Sequence, residues 1–546
     1  MATRISTCLL FCLLVPPVLG QSPADLWQSW PVERFTTTVA PCLRHAELME
    51  GIQDLVARHP GVVTVEDVGE SFLGRPIRMI TLGEGPQKVL LWSQMHGNEP
   101  SATPALLDIA HYLLGNANEP GPKAILEDLT LLMIPMLNPD GTELYVRRNA
   151  QAVDINRDAL NLTTPEGRTL KAVRDQHEPM LGFNLHDQDR RKAVGDTGVL
   201  STNAVLAVAG DPEGTVTPGR LRAKRACSAI VKALAPFMPG GMARYDEDWS
   251  PRAFGDNITA WGTPVVLIES GGLPAGHPFT DLTRLNFVAL LTVLQDLVAD
   301  DLAQHDPEIY EGLPRSANNA WAEAAVRGGY LMQPGTDKTY RADLSFYRHE
   351  DDRRLAGCEV ETRAGSSIFE IGDNRYVGSG QDIDGTDSVV LAPFVVGARG
   401  WSARKWLNED TLANLARLGV GTVRWSVPRS KRDAALALAK QLSGGDRADV
   451  LVVAGGEGLP PVILEGPPGT DSASTLSDVL HALGVPESLD KLWPEDMSAR
   501  VGVPALRRGQ PASFLLFSPA PEGKIDNQTT ALMSVWRDGI EIYTTP

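Results

Sequence analysis

Apolar runs of strand length alternate with helix-like segments between residues 41 and 303, and this alternation limits the fold more than any other feature of the chain. Helical periodicity is present at 41–58, 104–114 (with Thr103 as the expected N-cap) and 280–303. Strands separated by helices predict an α/β fold with a mixed, mostly parallel sheet flanked by helices. The predicted strands are 62–65, 77–81, 89–93, 129–136, 182–185, 205–209 and 265–268.

The length and charge of the chain bound its organisation. A chain of 546 residues is too long for one ordinary domain, and Pro and Gly residues punctuate a polar stretch at 306–337. We therefore expect a main domain at 21–305, a linker at 306–337 and a second, β-rich C-terminal domain at 338–546. The formal net charge of -18 argues against nucleic acid and anionic membranes as partners.

The N-terminus has the features of a secretion signal. Arg4 provides a positive charge, an apolar stretch follows at 7–19, and Gly20 is a small residue suited to cleavage. The stretch is too short to span a bilayer comfortably, although a retained anchor or a buried strand would have the same composition. We expect residues 1–20 to be removed and the protein to be secreted or periplasmic. Three cysteines then remain, without metal-type spacing and with at most one disulfide: Cys42, Cys227 and Cys358.

Polar residues suited to chemistry follow directly after predicted strands. His96 and Glu99 lie in a His-Gly-Asn-Glu motif, and their three-residue spacing places them on one side of a helical turn. His186 and Glu269 each come at the end of a later apolar run. Imidazole and carboxylate are ordinary zinc ligands, and a carboxylate at such a boundary can act as a general base. Each residue alone also fits a solvated helix start, a polar strand edge or a capped surface group.

Two further polar motifs lie between these residues in the sequence. Asn138-Pro139-Asp140-Gly141 has the composition of a turn, and we expect a turn there. Arginines, a carboxylate and an amide then crowd one short loop. Arginine can grip a carboxylate through two parallel hydrogen bonds, while a surface salt-bridge network is the alternative interpretation. The loop residues concerned are Arg147, Arg148, Asp154, Asn156 and Arg157.

The order of these motifs resembles the zinc metallocarboxypeptidases related to pancreatic carboxypeptidase. The resemblance extends over about residues 35–300 and includes Gly74-Arg75-Pro76-Ile77, which looks like an early strand of that family. It implies that the domain at 21–305 is catalytic. It also implies a peptide substrate with a free C-terminal carboxylate, whose last peptide bond is hydrolysed.

The resemblance implies a role for each polar residue as well. One Zn²⁺ per chain would be held by His96, Glu99 and His186, and Asp154 would orient His96.

Glu269 would be the general base, and Arg147 would polarise the scissile carbonyl. Asn156 and Arg157 would hold the terminal carboxylate of the substrate. Arg148 is an alternative to Arg147, because the two are adjacent and the sequence cannot separate them.

One departure from the family pattern concerns closure over the substrate. The family places a tyrosine before the catalytic glutamate, and the nearest one here, Tyr245, is slightly too far upstream. The segment 249–261, which sets side-chain preference, also looks different. Asp256 would favour a basic residue and Phe254 an apolar one, so the preference stays open.

Other functions fit the same motifs. An acylase of the aspartoacylase or succinylglutamate-desuccinylase type shares the zinc fold and the His-Gly-Asn-Glu element, but generally starts close to its first histidine. An amidase acting on cell-wall peptides is a related option. A secreted binding protein with a dead hydrolase domain is a third, and the intact His96, Glu99, His186 and Glu269 argue against it.

In the C-terminal region, segments 341–344, 370–373 and 382–385 look like the opening β-sandwich strands of metal-dependent amidohydrolases, and segments 415–425 and 482–516 look like later pieces of that fold. The His-x-His metal pair of the family is absent. We therefore expect a degenerate, inert domain. Further expected elements are strands at 367–371 and 389–396 and helices at 409–418 and 431–442.

Overall fold

The computed structural model divides into two compact units. Among its described residues, the first unit contains 20–195 and 199–318, and the second contains 196–198 and the residues from 319 onwards. The expected signal segment before Gly20, and Cys358, lie outside the described residues. The structure describes residues 20–245, 248–332, 339–349, 365–386, 389–391, 394–399, 409–410, 412, 420–427, 429–442, 449–454, 501–502, 514–518, 531–537 and 540–544.

The first unit contains ten strands in its described residues. They are β1 (Thr64–Glu70), β2 (Pro76–Leu82), β3 (Gln87–Ser93), β4 (Leu129–Ile134), β5 (Leu181–Asp187), β6 (Ala193–Val194), β7 (Asn203–Ala207), β8 (Met242–Arg244), β9 (Val265–Ser270) and β10 (Ser316–Ala317). Eight form one sheet in the order β1-β2-β4-β3-β5-β9-β7-β8, and β6 pairs with β10 separately. Four of the seven contacts in the large sheet are parallel (β4–β3, β3–β5, β5–β9 and β7–β8). The expected mixed, mostly parallel sheet is therefore confirmed.

Helices cover both faces of this sheet. They are α1 (Pro23–Glu33), α2 (His45–Arg58), α3 (Ala102–Gly115), α4 (Pro120–Asp128), α5 (Pro139–Leu144), α6 (Pro165–His177), α7 (Pro218–Leu234), α8 (Phe254–Ala260), α9 (Thr280–Val298) and α10 (Glu308–Glu311). Short 3₁₀ helices lie at Ala40–Cys42, Ile155–Arg157 and Leu302–Gln304. No helix among the described residues is long and apolar enough to span a membrane.

Alternation along the strands divides the interior into two cores. Along β3, Val89 and Leu91 join a core with α1, α2, α3, α4, α7 and α9, whereas Leu90 and Trp92 join a core with α6 and α8. Successive side chains of a strand point to opposite faces, so strands buried on both faces read as continuous apolar runs. By the same alternation, His186 on β5 and Glu269 on β9 fall on the α6/α8 face.

Two local predictions were wrong. Thr103 does not cap α3, which begins at Ala102; its hydroxyl is buried 2.7 Å from Gln94 Oε1 and 2.8 Å from Pro135 O. The expected turn at 138–141 is the start of α5: Asn138 accepts a hydrogen bond from Gly141 N at 2.9 Å, and proline occupies the first helical turn. Asn and Pro favour helix starts as well as turns, so composition alone could not separate the two.

The second unit is rich in strands, as expected. Its described strands are β11 (Trp321–Met332), β12 (Thr339–His349), β13 (Gly365–Gly372), β14 (Gly378–Asp384), β15 (Val389–Leu391), β16 (Phe394–Arg399), β17 (Val420–Val427), β18 (Asp449–Ala454), β19 (Val501–Gly502), β20 (Phe514–Ser518), β21 (Ala531–Arg537) and β22 (Ile540–Thr544). One sheet runs β13-β12-β11-β15-β20-β21-β22 with β14 beside β11, and another runs β18-β17-β16-β19. A helix, α11, spans Arg432–Leu442.

The strand expected at 389–396 is therefore two strands in different sheets, β15 and β16. The expected linker 306–337 contains α10, β10 and β11. Most of the expected helix 409–418 and of segment 482–516 lies outside the described residues. The domain bounds and the amidohydrolase resemblance stay predictions.

Candidate active site

Three donor atoms converge where β3 and β5 end. His186 Nδ1 lies 2.7 Å from Glu99 Oε2, His96 Nδ1 lies 2.8 Å from the same oxygen, and the two Nδ1 atoms are 3.2 Å apart. All three side chains are buried. In the described part of the chain this is the one group of three or more His, Cys, Asp or Glu side chains that could hold a metal ion.

The loop that carries two of these donors is fixed by close backbone packing. Glu99 N donates to His96 O at 3.1 Å, which closes a turn after β3. A Cβ atom at Gly97 would lie 2.0 Å from the backbone carbon of Gly141, so the His-Gly-Asn-Glu and Asn-Pro-Asp-Gly loops can meet only through glycine. Gln94, at φ 47°, also donates to Gly97 O at 3.3 Å. The position of the two donors therefore follows from both motifs together.

Asp154 and Arg147 contact the two different ring nitrogens of His96. His96 Nε2 lies 3.2 Å from Asp154 Oδ1, so its Nδ1 faces the other donors. Arg147 Nε donates to Asp154 Oδ2 at 3.0 Å, and its Nη1 lies 3.2 Å from Glu99 Oε1 and 3.1 Å from His96 Nδ1. Burial alone would raise the pKa of Asp154, but the contacts with His96 and Arg147 hold it well below its usual value. Asp154 is therefore an ionised carboxylate paired with His96 and Arg147.

The donor cluster is strongly polarised. Burial disfavours the charged form of His96, but Glu99 and Asp154 outweigh that effect and raise the pKa of His96 to about 9. Two imidazole nitrogens facing one buried carboxylate form a donor set that suits a cation, since imidazole and carboxylate are ordinary zinc ligands.

Glu269 lies next to the cluster through strand pairing. It is the register partner of His186 in the parallel β5–β9 pair and is 6% exposed. Burial, followed by the charge of Glu99, raises the pKa of Glu269, while Lys192 and His96 oppose the shift. A raised pKa brings a carboxyl closer to the range useful for a general base at neutral pH.

Tyr245 reaches Glu269 although the sequence spacing argued against it. Tyr245 follows β8, and its backbone N donates to Val205 O of β7 at 3.0 Å. Its side chain is hydrogen-bonded to Glu269, whose charge raises the pKa of Tyr245 well above the usual value. Separation along the chain hid this contact: Tyr245 follows β8, β8 pairs with β7, and β7 pairs with β9, which carries Glu269.

The structure separates the two adjacent arginines. Arg147 contacts the donor cluster, whereas Arg148 donates from Nη1 to Ala152 O at 3.1 Å and lines an open cleft together with Arg157. Asn156 and Arg157 lie in the 3₁₀ turn that Asp154 caps. Asn156 Oδ1 accepts from Phe254 N at 2.9 Å, which leaves its amide nitrogen for another partner.

Neither of the two residues considered for side-chain preference has a side chain that is freely accessible to a substrate. Phe254 is fully buried in the core against α6 and α8. Asp256 accepts from Ser250 N at 2.8 Å, and burial raises its pKa to about 6, with Arg157 opposing the shift.

Two residues near Glu269 were missed by the sequence reasoning. Asn184 precedes His186 by two residues on the same strand face, and both polar atoms of its amide are buried without a hydrogen-bond partner. Lys192 is buried, with its Nζ 4.2 Å from the centre of the Tyr245 ring. A basic run at 190–192 gave no sign that its last member turns inward.

A family model of known proteins matches part of the first unit. Residues 48–182 match the family model described as zinc carboxypeptidase. The matched segment contains His96, Glu99, Arg147 and Asp154 and ends just before His186. The resemblance to zinc carboxypeptidases is therefore confirmed for this part of the chain.

Similar proteins align over limited lengths. Carboxypeptidase 2 of Trichophyton rubrum is 30% identical over 162 residues, which are 27% of this chain and 29% of that protein. Carboxypeptidase SOL1 of Arabidopsis thaliana is 28% identical over 141 residues, 23% of this chain and 29% of that protein. Among solved structures, a metallo-carboxypeptidase from Burkholderia cenocepacia is 17% identical with a TM-score of 0.39, covering 47% of this chain and 69% of that chain. The chain thus spans 29% of the length of either of these relatives.

Proposed function

We propose that the protein is a secreted or periplasmic zinc metallocarboxypeptidase that removes the C-terminal residue of peptides. One observation carries this proposal: His96, Glu99 and His186 converge beside the buried Glu269. The turn that begins at Asp154 joins this cluster to a cleft lined by arginine. A metal-dependent hydrolase needs a donor cluster beside a general base. A carboxypeptidase also needs cationic groups that bind the terminal carboxylate of its substrate.

The donor set fits one zinc ion per chain. His96 and His186 would bind the ion through Nδ1, and Glu99 would bind it through a carboxylate oxygen. The Asp154 carboxylate would hold the His96 ring in place through its contact with Nε2. A zinc ion with three protein ligands lowers the pKa of a water molecule and polarises a carbonyl group.

The surrounding residues account for proton and charge movement. Glu269 takes the proton of the attacking water and later gives it to the leaving amine. Arg147 donates hydrogen bonds to the carbonyl oxygen as negative charge develops there. Tyr245, hydrogen-bonded to Glu269, keeps that carboxylate directed towards the reacting atoms.

Two residues provide the exopeptidase character. Arg157 keeps most of its N–H donors after one bond from Nη1 to Asn156 O, and Asn156 keeps its amide nitrogen. A guanidinium and an amide donor together fit a terminal carboxylate.

A disulfide supports the proposed location. Cys42 is disulfide-bonded. Such bonds persist mainly in oxidising compartments, which agrees with export through a signal at residues 1–20.

Metal-dependent release of one residue tests the proposal. Purified protein would be stripped of metal with a chelator, reloaded with one equivalent of Zn²⁺ and incubated with a peptide of known sequence, and the products followed by mass spectrometry. We expect residues to be lost one at a time from the C-terminus, only after reloading.

Glu269→Gln is the control, since it retains the size of the side chain and removes the base. It should bind zinc and release nothing on the same timescale. Cleavage at internal bonds, or equal cleavage by metal-free protein, would contradict the proposal.

A further inference from the structure

Three of the six residues that line an open cleft next to the donor cluster are arginines. The cleft has a volume of ≈ 460 Å³, and we call it the arginine cleft; its lining residues are Arg148, Ala152, Val153, Asp154, Arg157 and Arg252. The whole chain has a net charge of -18, so three guanidinium groups in one cleft are a local reversal of charge. Such a concentration of positive charge in a concave surface attracts anions.

The charge of the cleft is not neutralised from within. Its one carboxylate, Asp154, already accepts from Arg147 and lies against His96. Among the described residues, none of the three arginines of the cleft forms an ion pair. Arg148 and Arg157 each donate one hydrogen bond to a backbone carbonyl, at 3.1 Å and 2.7 Å, and their remaining N–H groups stay available.

The backbone around Arg252 is held beside Arg157. Ala159 N donates to Arg252 O at 3.2 Å, and Phe254 N donates to Asn156 Oδ1 at 2.9 Å. These two bonds tie the segment 252–254 to the turn that carries Arg157. A fixed placement reduces the ordering cost that a bound anion must overcome.

We propose that the arginine cleft binds the side-chain carboxylate of a C-terminal Asp or Glu, so that acidic C-terminal residues are preferred. The inference rests on the proposed function, in which Arg157 holds the terminal carboxylate. A second carboxylate on the same residue lies only a few bonds away and meets Arg148 or Arg252. Planar guanidinium groups suit carboxylates because they can donate two parallel hydrogen bonds.

The test compares three peptides that differ only in the last residue, Glu, Gln or Lys, with zinc-loaded full-length protein. We expect kcat/KM for the Glu peptide to exceed that for the Gln peptide about tenfold. This is the size of effect expected for a charge-assisted hydrogen bond that is weakened by exposure to solvent. Lys should be the poorest. The ratio of Glu to Gln should shrink between about 0.1 M and 1 M salt, where the Debye length falls from about 10 Å to about 3 Å.

Variants assign the preference to the cleft. Arg252→Gln should move the Glu-to-Gln ratio towards one, and Arg148→Gln gives an independent second removal of a guanidinium. Arg58→Gln is the matched control, since Arg58 pairs with Asp54 on the exposed side of α2. It should leave the ratio unchanged.

Equal rates on the Glu and Gln peptides overturn the inference but leave the carboxypeptidase proposal intact. The inference is also overturned if both cleft variants retain the preference for Glu, or if the preference depends on an acidic residue at the penultimate position instead of the last. If none of the three peptides is hydrolysed, the proposed function itself fails, and the inference with it.

Discussion

Asp154→Asn tests whether the residues around the donor cluster are built to hold a metal. Asp154 lies 3.2 Å from His96 Nε2 and accepts from Arg147 Nε at 3.0 Å, so it contacts one proposed zinc ligand and one neighbouring cation at once. Asparagine has nearly the same shape, but it loses the negative charge and one acceptor oxygen. Loss of such a partner costs about 10- to 100-fold in metal affinity. In free energy this is about 1.4–2.7 kcal/mol of binding.

The assay is a competition for Zn²⁺ between the protein and a coloured chelator of known affinity, read as a dissociation constant. Circular dichroism would establish that the variant is folded. Asp175→Asn is the control, because Asp175 pairs with Lys171 and Arg174 on the surface of α6, away from the donors. Equal zinc affinity in Asp154→Asn and wild type would refute the reasoning that Asp154 supports a zinc ligand.

Three further outcomes follow from the same geometry. His186→Ala should lose most of its zinc by elemental analysis, and full occupancy would remove His186 from the ligand set. Glu269→Gln should keep its zinc while kcat falls about 10²- to 10⁴-fold; near-native kcat would exclude Glu269 as the base. Gly97→Ala should lower the free energy of unfolding by about 1–3 kcal/mol, because its Cβ would lie 2.0 Å from backbone of Gly141. Gly115→Ala, with no atom within 4 Å of its added Cβ, is the control and should not destabilise the chain.

The sheet and the placement of four key residues could be predicted because they depend on local pattern. Apolar runs identified the central strands, and functional side chains of parallel sheets collect at carboxyl ends of strands. His96 and Glu99 follow β3, and His186 and Glu269 lie near the ends of β5 and β9; these three strands are neighbours in the sheet. Their convergence therefore follows from strand order, and their roles remain a proposal.

What the sequence could not provide depends on contacts between distant segments. Arg147 and Arg148 are adjacent in the chain, and only the fold turns one towards the donors and the other into the arginine cleft. Tyr245 was discounted by its distance from Glu269 along the chain, yet β7 and β8 bring the two side chains together. Arg252 gave no signal at all, because its place beside Arg157 is set by backbone hydrogen bonds between two loops.

The most direct test of the carboxypeptidase account is the rate on a peptide compared with the same peptide carrying a C-terminal amide. The amide lacks the negative charge and one acceptor oxygen that Arg157 and Asn156 would bind. Loss of a charge-assisted hydrogen bond costs roughly 1.5–3 kcal/mol, so kcat/KM on the amide should be lower by about ten- to a hundredfold. The difference should shrink in Arg157→Ala, because that variant is already slow on the free acid. Similar kcat/KM on both substrates in the wild-type protein would contradict the account and favour an amidase or an endopeptidase.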